Sequence, residues 1–228
     1  RPEEGVDGEP IHGLQLWVAL PAAKEEMEAA FAHHATAEFP VIKENGKNVR
    51  VVVGALYGSS SPVPAVHETI FGDVHLKAGT SLPLDVDHEE RAIYVIEGVV
   101  DISGDRFEPG RLLVFKPGDA PTITAINNAH FVIVGGAPMD SPRHIWWNFV
   151  SSRKERIDQA KADWAAGRIA LPRCLEQLRR RIDPRYGDAG RRQHSTKAAL
   201  GAADVERTIE PARPDANRPL YDLAIDAL

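Results

Sequence analysis

The sequence predicts a mainly β chain folded as an antiparallel barrel or sandwich, with a few short helices. Three observations carry that expectation. Between residues 65 and 137, four runs of branched and aromatic residues ("TIFGDVHLKAG", "RAIYVIEGVVDI", "GRLLVFKPG" and "HFVIVGG") are separated by turn signals. Gly79, Gly98, Gly104, Gly110 and Gly118 punctuate the same region at the spacing of hairpin-linked strands. No long helical pattern stands between the strands, which argues against a parallel sheet with crossover helices.

The elements follow in order. In "HGLQLWVAL", residues 12–20, Leu14, Leu16, Val18 and Leu20 alternate, the pattern of a half-buried strand. Pro21 opens a helix over "AAKEEMEAAFAHH", with Met27 and Phe31 on one side and His33 and His34 at its end, where they complement the dipole. "KNVRVVVGAL" alternates again through Val49, Val51 and Val53. "YGSSSPVP", residues 57–64, is rich in Ser and Pro and reads as a linker. After the 65–137 strands, "SSRKERIDQAKADWAAG" predicts a helix over 152–166. Ser152 and Glu155 form a capping box, Ile157, Ala160 and Trp164 make the apolar face, and Gly167 stands at C′. Beyond Pro172 the chain holds a basic run, with eight Arg or Lys against three Asp or Glu over 173–197, and then a Pro-rich end. Without interleaved aromatics that tail reads as a solvated, disordered segment.

The totals set limits on function. The chain has 228 residues, 43% hydrophobic and 26% charged, an ordinary globular composition. A net charge of −6 gives no reason to expect direct nucleic-acid binding. Cys174 is the single cysteine, so no intrachain disulfide forms, and a reducing, cytoplasmic location is expected. No apolar run reaches the length of a membrane span, and a monomer is expected. The chain opens with Arg1 in the polar loop "RPEEGVDGEP", which leads straight into strand-like sequence and suggests an N-terminal truncation.

The stretch "YVIEGVVDISGDRFEPGRLLVFKPGD", residues 94–119, resembles the cupin pattern, a double-stranded β-helix of jelly-roll type. Metal-binding cupins carry a Gly, five residues, His-x-His, a short gap, Glu, six residues and Gly, with a later His. Alternation aims those ligands into the barrel. Here Gly79 is followed by Asp85 and Asp87 in the histidine positions and by Arg91 in the Glu position before Gly98. After Gly118 no histidine stands until His130. A guanidinium repels a cation and is itself satisfied by a carboxylate, so the sequence predicts an Asp–Arg pair and no metal in this barrel. Asp85, Asp87 and Arg91 are then candidates for the polar lining of a small-molecule pocket. A register shift to a His88-centred site would turn His88 away from the face of Asp87 and is disfavoured. His67 and His75 flank a strand start and could meet in space, in a structural role.

Several segments narrow the resemblance. "HGLQLWVALP" (12–21), "GSSSPV" (58–63), "IYVIEG" (93–98), "VIVGGAP" (132–138) and "WWNFVSSRKERIDQAKADWAAGRI" (146–169) resemble the pirin family. The resemblance implies a bicupin with iron in its N-terminal cupin and none in its C-terminal cupin. It divides the chain into 1–57, the end of the N-terminal cupin; 58–64, a linker; 65–140, the C-terminal cupin; 141–172, a closing segment; and 173–228, the tail. It also implies that Fe(II) ligands precede "HGLQLW", so no residue here inherits a ligand role. His12 then belongs to the motif after the ligands as a structural histidine, and no bound cofactor is expected for this chain alone. Two activities follow from the resemblance: a full-length dioxygenase acting on quercetin-like phenols, or a redox-linked regulator binding a protein partner such as a transcription factor. The chain alone is expected to be inactive.

Overall fold

A computed structural model describes residues 13–28, 30, 32–147 and 149–168 with their side chains, and the backbone of 221–224. The four strong runs form strands as predicted: β5 (Thr69–Leu76), β7 (Glu90–Glu97) continuing into β8 (Val100–Ile102), β10 (Arg111–Phe115) and β12 (Ala129–Gly136). Before them lie β1 (Val41–Glu44), β2 (Lys47–Val53), β3 (Ala55–Leu56) and β4 (Ser59–Ser60). Between and after them come β6 (Ser81–Pro83), β9 (Asp105–Phe107), β11 (Thr122–Ala125), β13 (His144–Trp146) and β14 (Phe149–Ser151), then helix α1 (Lys154–Ala165) and β15 (Tyr221–Ala224).

Two antiparallel sheets face each other. One runs β1-β2-β5-β12-β7-β10-β15 and the other β6-β11-β8-β9. Every second side chain of the long strands points between them: Ile70, Val74 and Leu76 from β5, Ile93 and Val95 from β7, Phe131 and Ile133 from β12. Leu113, Ile123, Val100 and Ile102 close the core from the remaining strands. Each fully buried aliphatic or aromatic side chain contributes roughly 1.5–3 kcal/mol, so this core dominates the stability. Glycine is required at two kinds of place. Gly98 has φ 77° beside the Asn128 carbonyl, leaving no room for a Cβ. Gly72 points into the core, where the Leu56 side chain fills its place.

The first third of the chain differs from its sequence reading. Residues 13–20 form no strand, and Leu14, Leu16, Trp17 and Val18 are exposed. The helix expected after Pro21 is a single 3-10 turn, Ala22–Lys24. Local acids explain this, because they are engaged elsewhere. Glu25 bonds Ser151 and Ser152 and lies 3.1 Å from Arg143, and Glu26 pairs with Arg153 and Arg156. Arg143, itself buried, also holds the Leu20 carbonyl. Six groups from 140–156, counting Asp140 on the Ala22 N–H, thus hold residues 20–26 in an irregular path, and helix propensity gives way to tertiary contacts. His34 meets Glu38 at 3.0 Å instead of ending a helix.

Strand β2 is paired on both edges, with β1 and with β5. It pairs with β5 from Lys47↔Leu76 to Val53↔Phe71, and Val49 and Val51 are 1% and 0% exposed in the common core. Residues 41–53 therefore belong to the same sheet as 69–136. The expected linker begins as a tight hairpin: Tyr57 and Gly58 take φ 50° and 75° between β3 and β4, and Ser61 Oγ donates to the Val52 carbonyl.

Helix α1 forms as predicted, with Ile157 buried and Gly167 at φ 65°. It packs on the β13–β14 hairpin, where Trp146, Phe149 and Trp164 meet ring to ring. The predicted capping box is not made, because Ser152 gives its Oγ–H and backbone N–H to Glu25. Of the tail 173–228, β15 pairs with β10 through Arg111↔Ala224 to Val114↔Tyr221; the basic run lies outside the described residues. Among the described residues no helix is long and apolar enough to cross a membrane.

Candidate functional site

Two polar constellations sit on opposite sides of the large sheet. Strand β7 sends Arg91, Ile93 and Val95 inward and Ala92, Tyr94 and Ile96 outward. Arg91 is 2% exposed. Its Nη1 donates to the Asp85 carbonyl at 3.1 Å and its Nη2 to the Lys116 carbonyl at 3.4 Å, while its buried Nε has no partner.

The partner of Arg91 is thus the backbone of residue 85 and not the carboxylate expected from the sequence. The Asp85 carboxylate instead accepts from the backbone N–H of Tyr57 (2.7 Å) and of Asp87 (3.0 Å), tying the β6–β7 loop to the β3–β4 hairpin. Tyr57 closes that joint through its hydroxyl, which donates to the Pro83 carbonyl, and burial pushes its phenol above the ordinary value. Asp87 is exposed. Arg91 and Asp85 therefore come together and Asp87 does not join them, and none of the three lines either cleft described below. His88 points to the Glu68 carboxylate (2.8 Å) and the Ala55 carbonyl (2.9 Å). Burial alone would lower its pKa, but those two hydrogen bonds and the charge of Glu68 raise it above the ordinary histidine value. The barrel interior does not fit Fe(II): the ligand positions hold a fixed guanidinium bound to two carbonyls.

The outer face of the same sheet is different. Asp73 and His75 alternate on β5 and so share that face. His75 stands directly across from His130 of β12, their rings stacked with centroids 4.0 Å apart. His130 Nε2 meets Asp73 Oδ1 at 2.7 Å, His75 Nε2 lies 3.7 Å from the same oxygen, and Arg50 Nη1 of β2 pairs with Asp73 Oδ2 at 3.1 Å. A β-bulge falls between His130 and Phe131 in the pairing with β7, which sets His130 opposite Glu97. Desolvation and the neighbouring His130 hold the His75 pKa below the ordinary histidine value, against the pull of Asp73.

Two clefts meet at His130. One, of about 610 Å³, runs past Lys43, Lys47, His75, Lys77 and Glu97; the other, of about 270 Å³, runs past Leu14, Phe39, Arg50, Phe71 and Asp73. Sequence reading missed this cluster. It sought ligands in the barrel interior and paired His75 with His67, whereas His67 bonds the Ala137 carbonyl. The Asp-x-His spacing at 73 and 75 was the available signal.

Comparison with known proteins agrees with the fold. A family profile described as "Pirin C-terminal cupin domain" matches residues 71–170, from mid-β5 through α1. A "Pirin-like protein" of Caulobacter vibrioides is 39% identical over 163 residues, 71% of this chain and 56% of that protein. The chain belongs to the pirin family. A Pseudomonas aeruginosa protein named "Putative quercetin 2,3-dioxygenase PA1205" is 30% identical over 158 residues, 68% of this chain and 50% of that protein. A crystal structure of quercetin 2,3-dioxygenase from Acinetobacter baumannii superposes with a TM-score of 0.62 at 22% identity, over 66% of this chain and 54% of that one, which shows the shared cupin fold. The chain spans about half the length of these curated pirin relatives.

Proposed function

We propose that this chain is the metal-free cupin of a pirin-type protein, and that the whole protein is an iron-dependent dioxygenase of quercetin-like flavonols. One observation carries the reading: Arg91, buried in the barrel on two carbonyls, stands where an inward-facing carboxylate ligand would be needed. The likeness to the Pseudomonas aeruginosa relative, whose name carries that activity, supports the substrate class. On this reading Fe(II) lies outside this barrel and would bring the phenol and dioxygen together. This barrel's own work is structural: Asp85, Tyr57 and Arg91 fix the β6–β7 loop against the β3–β4 hairpin.

Quercetin loss with matching dioxygen uptake is expected from the whole iron-loaded protein and not from residues 1–228 alone. Turnover by residues 1–228 that depends on Asp85 or Asp87 would contradict the proposal, as would an inert, iron-loaded whole protein.

A second reading, regulation through a protein partner, is favoured by the exposed row of Leu14, Leu16, Trp17 and Val18, an apolar strip open to contact. A specific partner whose capture is lost with Trp17→Ser supports it. An inert pull-down from whole protein that still oxidises quercetin speaks against it.

A further inference from the structure

Asp73, His75 and His130 form a second polar centre, on the outer face of the large sheet. Each offers one donor atom, and the three atoms lie within 4.8 Å of one another on the exposed side of the sheet. We propose that they bind a divalent transition ion of the zinc, cobalt or nickel class, as a two-histidine, one-carboxylate site on the outer face of the barrel. This goes beyond the oxygenase reading and does not depend on it.

Distance is the first argument. Two donors each about 2.1 Å from one ion, at tetrahedral or octahedral angles, stand roughly 3.0–3.4 Å apart. The two separations from Asp73 Oδ1, 2.7 Å to His130 Nε2 and 3.7 Å to His75 Nε2, bracket that range, and binding requires the stacked imidazoles to turn out of their near-parallel arrangement so that both Nε2 atoms aim at one ion. Both imidazoles present Nε2, leaving Nδ1 to carry the proton. The ion would take the place of the hydrogen that now joins His130 to Asp73.

Charge is the second argument, because Arg50 opposes a cation. Its guanidinium holds Asp73 Oδ2, the oxygen that the ion does not need, and thereby orients Oδ1. Glu97, across from His130, adds a second acid. With both imidazoles neutral, Arg50, Asp73 and Glu97 sum to one negative charge beside the donors, which the ion needs against Lys43, Lys47 and Lys77 of the same cleft. Nitrogen donors with a single carboxylate favour borderline transition ions over magnesium or calcium, which prefer oxygen shells. Architecture is the third argument. All three donors come from one side, so the remaining coordination positions open into the cleft along Lys47 and Lys77. His130 also sits at a bulge, a device that re-aims a side chain.

Cobalt(II) titration of residues 1–228, followed by visible absorption and by metal analysis after dialysis, tests the proposal. One equivalent is expected to bind, with affinity reduced about 10-fold or more by His75→Ala and by His130→Ala. His75 is half exposed, so its replacement leaves the fold intact, and unchanged circular dichroism verifies this. No binding, or binding that both replacements leave within twofold, would overturn the site. Because the readout is binding, failure here leaves the oxygenase reading standing, and an inert whole enzyme leaves this site standing.

Discussion

The two faces of the large sheet solve opposite problems with similar residues. Inside, a single arginine is sealed among aliphatic side chains and spends two of its donors on carbonyls. Outside, another arginine, Arg50, is partly exposed and shares a carboxylate with two histidines. The inner cation is locked, and desolvation makes it costly to disturb. The outer group keeps its donor atoms within reach of solvent, where an ion or ligand can exchange. Burial, more than residue type, decides which of the two constellations can do chemistry.

The sharpest way to break that contrast is to remove the inner cation. Arg91→Ala orphans two carbonyls and leaves a cavity, and is expected to destabilise the protein by about 3 kcal/mol in urea unfolding. Arg91→Met, which refills the space but leaves the same two carbonyls without a donor, should cost less, about 2 kcal/mol. A loss for Met as large as for Ala would mean that the hydrogen bonds, and not the filled space, set the cost.

The account of β2 comes next. Val51→Ala removes two methyl groups from a fully buried site and should cost about 2 kcal/mol, with matching loss of hydrogen-exchange protection in β5. No change would mean that 41–53 is not part of the cooperative core. Glu25→Ala should cost about 2 kcal/mol as well, less than a fully orphaned pair, because Arg143 keeps Asp140 and the Leu20 carbonyl.

The smallest effect is on pH dependence. The folded pKa of His75 is lowered, so the unfolded chain binds more protons just below the ordinary value of about 6.5, and stability rises with pH there. The folded pKa of His88 is raised, so its contribution is complete below that value and is lost as pH rises through the folded value. A shallow stability maximum near pH ~6.5 follows. His75→Ala should flatten its acid limb and His88→Ala its alkaline limb, as read from urea midpoints across that window.

Much of the barrel was legible because its signals are local. Alternation placed Val49 and Val51 in the core, and the glycines at 79, 98, 104, 110 and 118 all take positive φ at turns. The misreadings arose where distant groups decide. "AAKEEMEAAFAHH" has helical composition, but Glu25 and Glu26 are drawn to residues more than a hundred positions away. Ser152 looked like a cap until Glu25 took its hydrogens. The candidate site needed three facts at once: the face of β5, the face of β12 and their register. Phe131 and Ile133 point inward, so His130 must point outward. Only the pairing His130↔His75 then joins it to Asp73.

The most direct test of the contrast between the two faces is paramagnetic broadening of side-chain resonances during cobalt(II) addition to residues 1–228. The account predicts that the His75 and His130 ring signals broaden first, well before those of Leu84 and Phe115 in the buried core. Broadening that begins at Leu84 and Phe115, or at the Arg91 guanidinium, would place the ion inside the barrel and contradict it.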